Sequence, residues 1–376
     1  MALIERWRRW RDSLLRSARF RRHAASFPLT RPIARRQARA AFDLCAGFVY
    51  SQVLAACIEL ELLDRLARGP RSVADLAAEL DLAPAAAERL LRAAAALGLL
   101  QARPPGYGLG PLGAAIAGDA GIAAMIRHHR MLYTDLADPV ALLRGQRPGT
   151  QLADYWAYAG GAPAGQLPGE RIAAYTALMG ASQPAVAAEV LDAYPVHRHR
   201  RLLDVGGGDG TFLAAVAERC PRLELVLLDL PAVAERARAR LSAAGLAQRI
   251  EVIGRDFTAE PLPTGADLVS LVRIAHDHDD PVVLQLFRRI REALPPGGTL
   301  LIAEPLAGAP GAERVGDAYF GFYLLAMGQG RPRRVAELEQ LLRLGGFSDV
   351  RERRTHLPLL TGLVVARTPS QPVGST

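Results

Sequence analysis

The sequence predicts an α/β protein: a seven-stranded, doubly wound sheet fills the C-terminal half, preceded by a mainly α winged-helix unit. Three observations predict it. Arg201 to Thr211, RLLDVGGGDGT, reads as a short buried strand that stops in glycines and opens a helix. From there to Arg367, apolar strands alternate with helices, the pattern of a parallel sheet covered on both faces. Ahead of it, a capped helix, a short break, a second helix and a hairpin fall between Ser72 and Leu109.

The chain has 376 residues, half of them apolar, which is enough for about two domains with sizeable cores. No apolar run is expected to approach the ~18–20 residues that cross a bilayer. The first 22 residues are broken by arginines and lack a signal-peptide core. Cys45, Cys57 and Cys220 are scattered without CxxC spacing and read as reduced core residues of a cytoplasmic protein. All 46 basic residues are arginine, and the charge is uneven. Residues 1–40 carry a net +10 against +8 for the whole chain, so the remainder is close to neutral at −2. The high pI therefore describes an N-terminal arm, residues 1–39.

In that arm Leu3, Trp7, Trp10 and Leu14 are spaced by four, three and four residues, with arginines 6, 8, 9 and 11 between them and 16 and 19 just after. One helix face is then apolar and the rest basic, which suits peripheral contact of residues 1–27 with an anionic membrane, or docking on a neighbouring domain. Residues 40–118 form the winged-helix unit. Ser72 caps a helix with Asp75 at its third position, Ala85–Leu97 follows, Gly98 ends it, and Leu99–Leu109 folds back at Pro104-Pro105-Gly106. Only Glu88, Arg89 and Arg92 are charged on the second helix, too few to neutralise several phosphates, so no nucleic-acid partner is expected. Residues 119–200 read as helices covering a pocket. His128, His129, Tyr133, Trp156, Tyr158, Tyr175, Met179 and Ser182 are candidates to line it, and 160–169 form an exposed Gly/Pro loop.

Residues 201–368 form the sheet domain, with 369–376 a flexible tail. Its expected strands are Arg201–Val205, Leu223–Asp229, Arg249–Ile253, Asp267–Ala275, Thr299–Ala303 and the antiparallel pair Arg351–Thr355 and Thr361–Arg367. Polar residues just after successive strands fall on the carboxyl edge, where doubly wound sheets bind ligands. The glycine turn lets backbone approach a nucleotide-like ligand, with Asp204, Gly206 and Gly208 around it. Thr211 stands where a dinucleotide fingerprint wants a third glycine, which points to a ligand without a pyrophosphate, S-adenosylmethionine. Asp229 can accept a ribose diol. Asp256 and Phe257 offer adenine an acceptor and an apolar face, and Asp204 can hold an ammonium or order the turn. His276 follows the fourth strand and can take a proton from a hydroxyl; Glu304, after the next strand, can orient it. Binding of a metal by His276 to Asp280 is disfavoured, because consecutive side chains rarely converge on one ion.

The strings LLDVGGGDG (202–210), LLDLPAV (227–233), GRDF (254–257), RIAHDHDD (273–280), LLIAEPL (300–306) and GGF (345–347) resemble the S-adenosylmethionine-dependent O-methyltransferases of the caffeic acid and acetylserotonin type. FPLTRPIARR (27–36), FDLCAGFVYSQVL (42–54), HHRMLYTDLADPVALLRG (128–145) and AYFGFYLLAMGQGRPR (318–333) resemble that family's bacterial carotenoid branch, the hydroxyneurosporene (demethylspheroidene) type. The resemblance covers about residues 40 to 367. It implies a Rossmann-like methyltransferase sheet behind a dimerisation domain and a homodimer intertwined through the N-terminal domains. It also implies S-adenosylmethionine as cofactor and a hydroxycarotenoid with a tertiary 1-hydroxyl as substrate. The place implied is cytoplasmic, peripheral to the inner photosynthetic membrane. His276 is implied as catalytic base, Asp229, Asp256 and Phe257 as cofactor contacts, and Arg273 as a neighbour of the cofactor. Two positions depart from the family pattern: His278 stands where tryptophan is usual, and Gly330-Arg331-Pro332-Arg333 has no acid where a second histidine-flanking glutamate is usual. Alternatives are a phenolic or quinone-pathway acceptor, and a winged-helix regulator whose cofactor domain is vestigial.

Overall fold

Leu202–Val205, Leu225–Leu228, Leu268–Val272 and Leu300–Ala303 are apolar on both faces, and such strands are stable only when covered from both sides. The computed structural model describes residues 2–147, 149–156 and 169–370, with side chains placed for 3–147, 149–156 and 178–370. The candidate Tyr158, most of the 160–169 loop and residues 371–376 lie outside those described, as does the side chain of Tyr175. Residues 1–118 and 119–376 form two compact units.

In the first unit the arm is two helices, Ala2–Arg16 and Ala18–Ser26. Leu3, Ile4, Trp7 and Trp10 are all more than half exposed, so this part of the apolar stripe is left uncovered by the described residues. A 29-residue helix, Arg31–Glu59, then runs unbroken through position 40. By length and composition it could cross a membrane, with a mean hydropathy of 1.6 over its most apolar window. This corrects the expectation that no segment qualifies: Asp43, Ser51 and Gln52 interrupt the apolar run without lowering its average enough. Ser72 accepts from the Asp75 N–H to open Val73–Glu79, and Pro84–Ala96 follows. Gly98 turns the chain at φ +76° into β1 (Leu100–Arg103), which pairs antiparallel with β2 (Gly106–Leu109).

The second unit begins with the helices Ala120–Asp135, Pro139–Leu143, Gln151–Tyr155 and Gly169–Ala193. Its strands are β3 (Arg201–Val205), β4 (Glu224–Asp229), β5 (Ile250–Gly254), β6 (Leu268–Val272), β7 (Thr299–Glu304), β8 (Ser348–Arg353) and β9 (Gly362–Arg367). The order is β5-β4-β3-β6-β7-β9-β8, with the first five parallel and β9 antiparallel to both neighbours. Alternate residues enter opposite core layers, as a two-residue period requires. Leu203, Val205, Leu271 and Ile302 pack with Phe287 and Leu338 on one face; Leu202, Leu227, Val272 and Leu301 pack with Phe212 and Val190 on the other. The chain leaves β3 toward β4 and β5, then returns to the far side at β6. The crevice at this reversal, between the ends of β3 and β6, is where such sheets bind ligands.

β6 ends at Val272, three residues short of the expected Ala275. The Arg273 N–H still donates to Ala303 O at 2.7 Å, but Arg273 takes φ +60° and turns the chain out of the ladder into a tight helical turn, Ala275–Asp277. Left-handed backbone at a non-glycine residue is costly, and such positions cluster at functional sites.

Candidate active site at the sheet switch point

After β3, Gly206, Gly208 and Gly210 take φ of +73°, +59° and +80°. A Cβ on Gly206 would sit 2.3 Å from the Ile274 side chain, so glycine is required both by conformation and by the approach of the β6 turn. The helix Thr211–Arg219 starts from Asp209, whose Oδ1 accepts from the Thr211 N–H and hydroxyl at 3.1 and 2.6 Å. That carboxylate was not among the sequence candidates, and its two-residue spacing from Thr211 was the available signal.

Asp204 and Asp229 lie on either side of the turn, both buried. Asp204 Oδ1 accepts from the Ser270 hydroxyl across the β3–β6 register at 2.6 Å, while Oδ2 has no protein partner. Burial pushes the Asp204 carboxyl up to about 7, with the Ser270 bond opposing and the charge of Asp229 adding. Asp229 accepts from the Gly208 N–H at 2.8 Å and the Leu230 N–H at 2.7 Å, and burial lifts it to about 6 against those two bonds. Two buried carboxyls, one oxygen of them unpartnered, beside a backbone turn free of Cβ atoms suit a ligand with an ammonium and a diol.

Asp256 and Phe257 follow β5. Asp256 Oδ1 accepts from the Thr258 N–H and hydroxyl at 2.8 and 2.6 Å, closing a local turn. The Phe257 ring is buried in the core, 6.0 Å from the His278 ring in an edge-on arrangement. Arg273 reaches across to the long helix Gly169–Ala193, donating to Ser182 Oγ at 2.7 Å and touching the Met179 sulfur.

His276 is buried between two carboxylates. Its backbone N–H donates to Glu304 Oε2 at 3.0 Å, and its Nδ1 lies 3.6 Å from that oxygen, beyond hydrogen-bond reach. Asp277 Oδ1 is 3.0 Å from Nε2, close enough for a strong charge interaction but not aligned as a hydrogen bond. Nδ1, Asp277 Oδ1 and Glu304 Oε1 are all buried without a hydrogen-bond partner, which marks a reactive centre rather than a settled core. Burial opposes the imidazolium; the charge and contact of Asp277, then of Glu304, overcome it and raise His276 to about 9. Glu304 therefore stands where the sequence placed it, and Asp277 joins it as a carboxylate the sequence reading passed over. The carboxylates of His276–Asp280 diverge: Asp279 accepts from the Gly330 N–H, and Asp280 pairs with Arg331 and Arg333.

A π-helical turn, Arg314–Phe320, aims two rings at this centre; such turns recur at functional sites. Phe320 lies 5.7 Å from the His276 ring, with Tyr319 and Tyr323 at 5.0 and 6.0 Å from Phe320. Tyr319 pairs with His129 and Tyr323 with His128, each at 2.7 Å, and Trp156 Nε1 donates to the Tyr323 hydroxyl at 3.1 Å. Burial pulls His128 down to about 4, helped by His129, so it is neutral and accepts from Tyr323. The adjacent histidines engage tyrosines four residues apart on one helical segment.

This architecture matches known proteins along nearly its whole length. The O-methyltransferase domain profile matches residues 133–348, and the O-methyltransferase dimerisation domain profile matches residues 42–118. The chain belongs to the O-methyltransferase family. It is 46% identical over 355 residues to demethylspheroidene O-methyltransferase of Cereibacter sphaeroides, covering 94% of this chain and 93% of the relative. Acetylserotonin O-methyltransferase of Mus musculus is 33% identical over 345 residues, with 86% and 87% covered. Human N-acetylserotonin methyltransferase, solved in complex with S-adenosylmethionine, superposes with a TM-score of 0.73 at 25% identity, covering 89% of this methyltransferase and 98% of the human chain. The dimerisation-domain match supports a homodimer built through the N-terminal unit of the methyltransferase.

Proposed function

We propose that the protein transfers a methyl group from S-adenosylmethionine to the tertiary 1-hydroxyl of an acyclic hydroxycarotenoid of the hydroxyneurosporene or demethylspheroidene type. The observation that carries this reading is the run of rings from His276 through Phe320 to Tyr319 and Tyr323, an apolar wall ending at a buried base. The 46% identity to a demethylspheroidene O-methyltransferase supports the substrate class. Bound at the β3 turn, S-adenosylmethionine supplies the electrophilic methyl carbon. Asp204 would face the ammonium, Asp229 the ribose hydroxyls, and Asp256, Phe257 and Arg273 would complete the cofactor side. His276 in its neutral form, which a cationic cofactor favours over the imidazolium, would accept the hydroxyl proton as the methyl group passes from sulfur to oxygen. A tertiary alcohol is far less acidic than a phenol, so proton loss and methyl capture are concerted, with the rate resting largely on alignment in a dry pocket. Glu304 holds the backbone N–H of His276 and, 3.6 Å from Nδ1, balances the imidazolium that forms.

The test is purified protein with labelled S-adenosylmethionine, offered a 1-hydroxycarotenoid against catechol-type acceptors. Faster methylation of the carotenoid is expected. Preference for the catechol overturns the substrate assignment while leaving the transferase intact.

Such a substrate resides in a bilayer, and this gives the arm a role. Leu3, Ile4, Trp7 and Trp10 are exposed beside five arginines of one helix, and the Arg11 guanidinium lies 5.4 Å from the centre of the Trp7 ring. The arm is assigned to an anionic lipid surface, where tryptophan sits at the headgroup level and arginine pairs with phosphate. Removing residues 1–27 is expected to weaken binding to vesicles containing phosphatidylglycerol and to leave cofactor affinity unchanged. Equal vesicle binding by the two forms removes the lipid assignment.

A further inference from the structure

The tight turn that carries His276 is held from behind by one short segment, residues 329–333. All four carbonyls of Ala275, His276, Asp277 and His278 receive a donor from it. Arg333 Nη1 donates to Ala275 O at 2.6 Å, the Arg331 N–H to His276 O at 2.9 Å, Gln329 Nε2 to Asp277 O at 3.2 Å, and Arg333 Nη2 to His278 O at 2.6 Å. Arg333 is completely buried, the largest side chain with no exposed surface among the described residues, and its Nε donates to Asp280 Oδ1 at 2.8 Å. Gly330 takes φ +77°, and a Cβ there would lie 2.3 Å from His276 O, so the segment is pressed against the turn.

A buried guanidinium without good partners is strongly destabilising, and charge-assisted bonds to carbonyls fix geometry. Here the planar fork reaches both ends of one turn. With the His276 N–H held by Glu304 and its carbonyl by Arg331, the ring direction is set by backbone atoms on both sides. We propose that Arg333, anchored by Asp280, is a positioning residue for methyl transfer: it locks the Ala275–His278 turn so that the His276 ring is aimed before the substrate arrives. This rests on His276 acting as the base. It gives the acid-free string Gly330-Arg331-Pro332-Arg333 a task performed through the main chain of the turn.

The test is a double-mutant cycle in the full-length protein, reading kcat, KM for the hydroxycarotenoid, the S-adenosylmethionine dissociation constant and the melting temperature. Misplacing a catalytic group by about an ångström costs up to about a hundredfold, so Arg333→Met is expected to lower kcat by roughly ten- to a hundredfold. KM and cofactor affinity should stay within about twofold, and Arg333→Lys, with one ammonium for three acceptors, should recover part of the loss. In a His276→Ala background Arg333→Met should change the residual rate by less than about twofold, because the aim no longer matters. An equal loss in both backgrounds, or cofactor affinity falling in step with kcat, overturns the proposal. If Arg333→Met does not fold, Gln329→Ala removes only the donor to Asp277 O; a fall in kcat that vanishes in the His276→Ala background supports the clamp, and no fall overturns it. Near-full turnover by His276→Ala alone marks failure of the base assignment itself and is seen before Arg333 is changed.

Discussion

The turn after β3 and the turn after β6 face each other across the same crevice, yet they are held in different ways. The β3 turn is closed by itself and by the end of the adjacent strand β4: the Gly210 N–H donates to Gly207 O within the turn, the Gly206 N–H donates to Leu228 O, and the Asp229 carboxylate accepts from the Gly208 N–H. The β6 turn is closed by residues more than fifty positions later, all from 329–333, and by Glu304 on β7. The first turn is shaped to admit backbone close to a ligand; the second is shaped to immobilise a side chain. A cofactor site tolerates local construction because many atoms share the load. A single proton-transfer group does not, because its rate depends on one direction.

If that contrast is right, the largest effect belongs to the β6 side. His276→Ala is expected to lower kcat by about a hundredfold to ten-thousandfold, the usual contribution of a general base, with cofactor affinity by calorimetry nearly unchanged. Turnover close to that of the unaltered protein would remove the base assignment. On the β3 side Asp229→Asn leaves one oxygen for two N–H donors and should weaken cofactor binding by about tenfold or more, at about 1–3 kcal/mol per unsatisfied buried group. The kcat at saturating cofactor should change much less. A kcat loss without an affinity loss would erase the distinction between the two turns. Gly206→Ala places a Cβ against Ile274 and forces a left-handed backbone worth about 1–2 kcal/mol, so a lower melting temperature and weaker cofactor binding are expected together.

The smallest effect is on protonation. His276, raised to about 9 from an ordinary 6.5, contributes stability that is complete below 6.5 and is lost as pH rises through 9. Asp204, at about 7, and Asp229, at about 6, are also raised, so their neutral forms favour the fold and that contribution too declines as pH climbs from about 4 through 7. The free protein should therefore melt a few degrees lower at pH 9 than at pH 6. A cationic cofactor opposes protons on all three groups, so its binding should release protons at pH 6.5 and tighten as pH rises. Calorimetry in buffers of different ionisation enthalpy reads this directly; proton uptake would show that the carboxyls do not face the positive charge.

The same contrast explains what was legible in the sequence. The strand β3, its turn and the start of the next helix are encoded within eleven consecutive residues, and Asp229, Asp256 and Glu304 each stand at or just after the end of an apolar strand. Position after a strand was signal enough to place His276 and Glu304 together. Asp277 was passed over because a residue adjacent to a histidine usually points elsewhere, and here the tight turn bends it back. Arg333 carried no signal: its partners lie 53 to 58 residues away in sequence, and arginine is so common in this chain that one more draws no attention. The early end of β6 has a similar origin, since no propensity announces that Arg273 adopts a left-handed conformation. The long helix Arg31–Glu59 was half legible: its composition was read as winged-helix and arm, whereas one continuous helix joins them.

The paired histidines and tyrosines have a consequence for how a polyene is handled. His128 with Tyr323, and His129 with Tyr319, answer each other's hydrogen-bonding groups, with Trp156 joining the first pair. Along this stretch the two tyrosine hydroxyls are engaged by histidines, while one atom of the same wall, His128 Nδ1, is buried without a hydrogen-bond partner among the described residues. In the proposed reaction a polyene would therefore meet mostly aromatic faces, with a polar atom left to be answered at His128 as well as at His276.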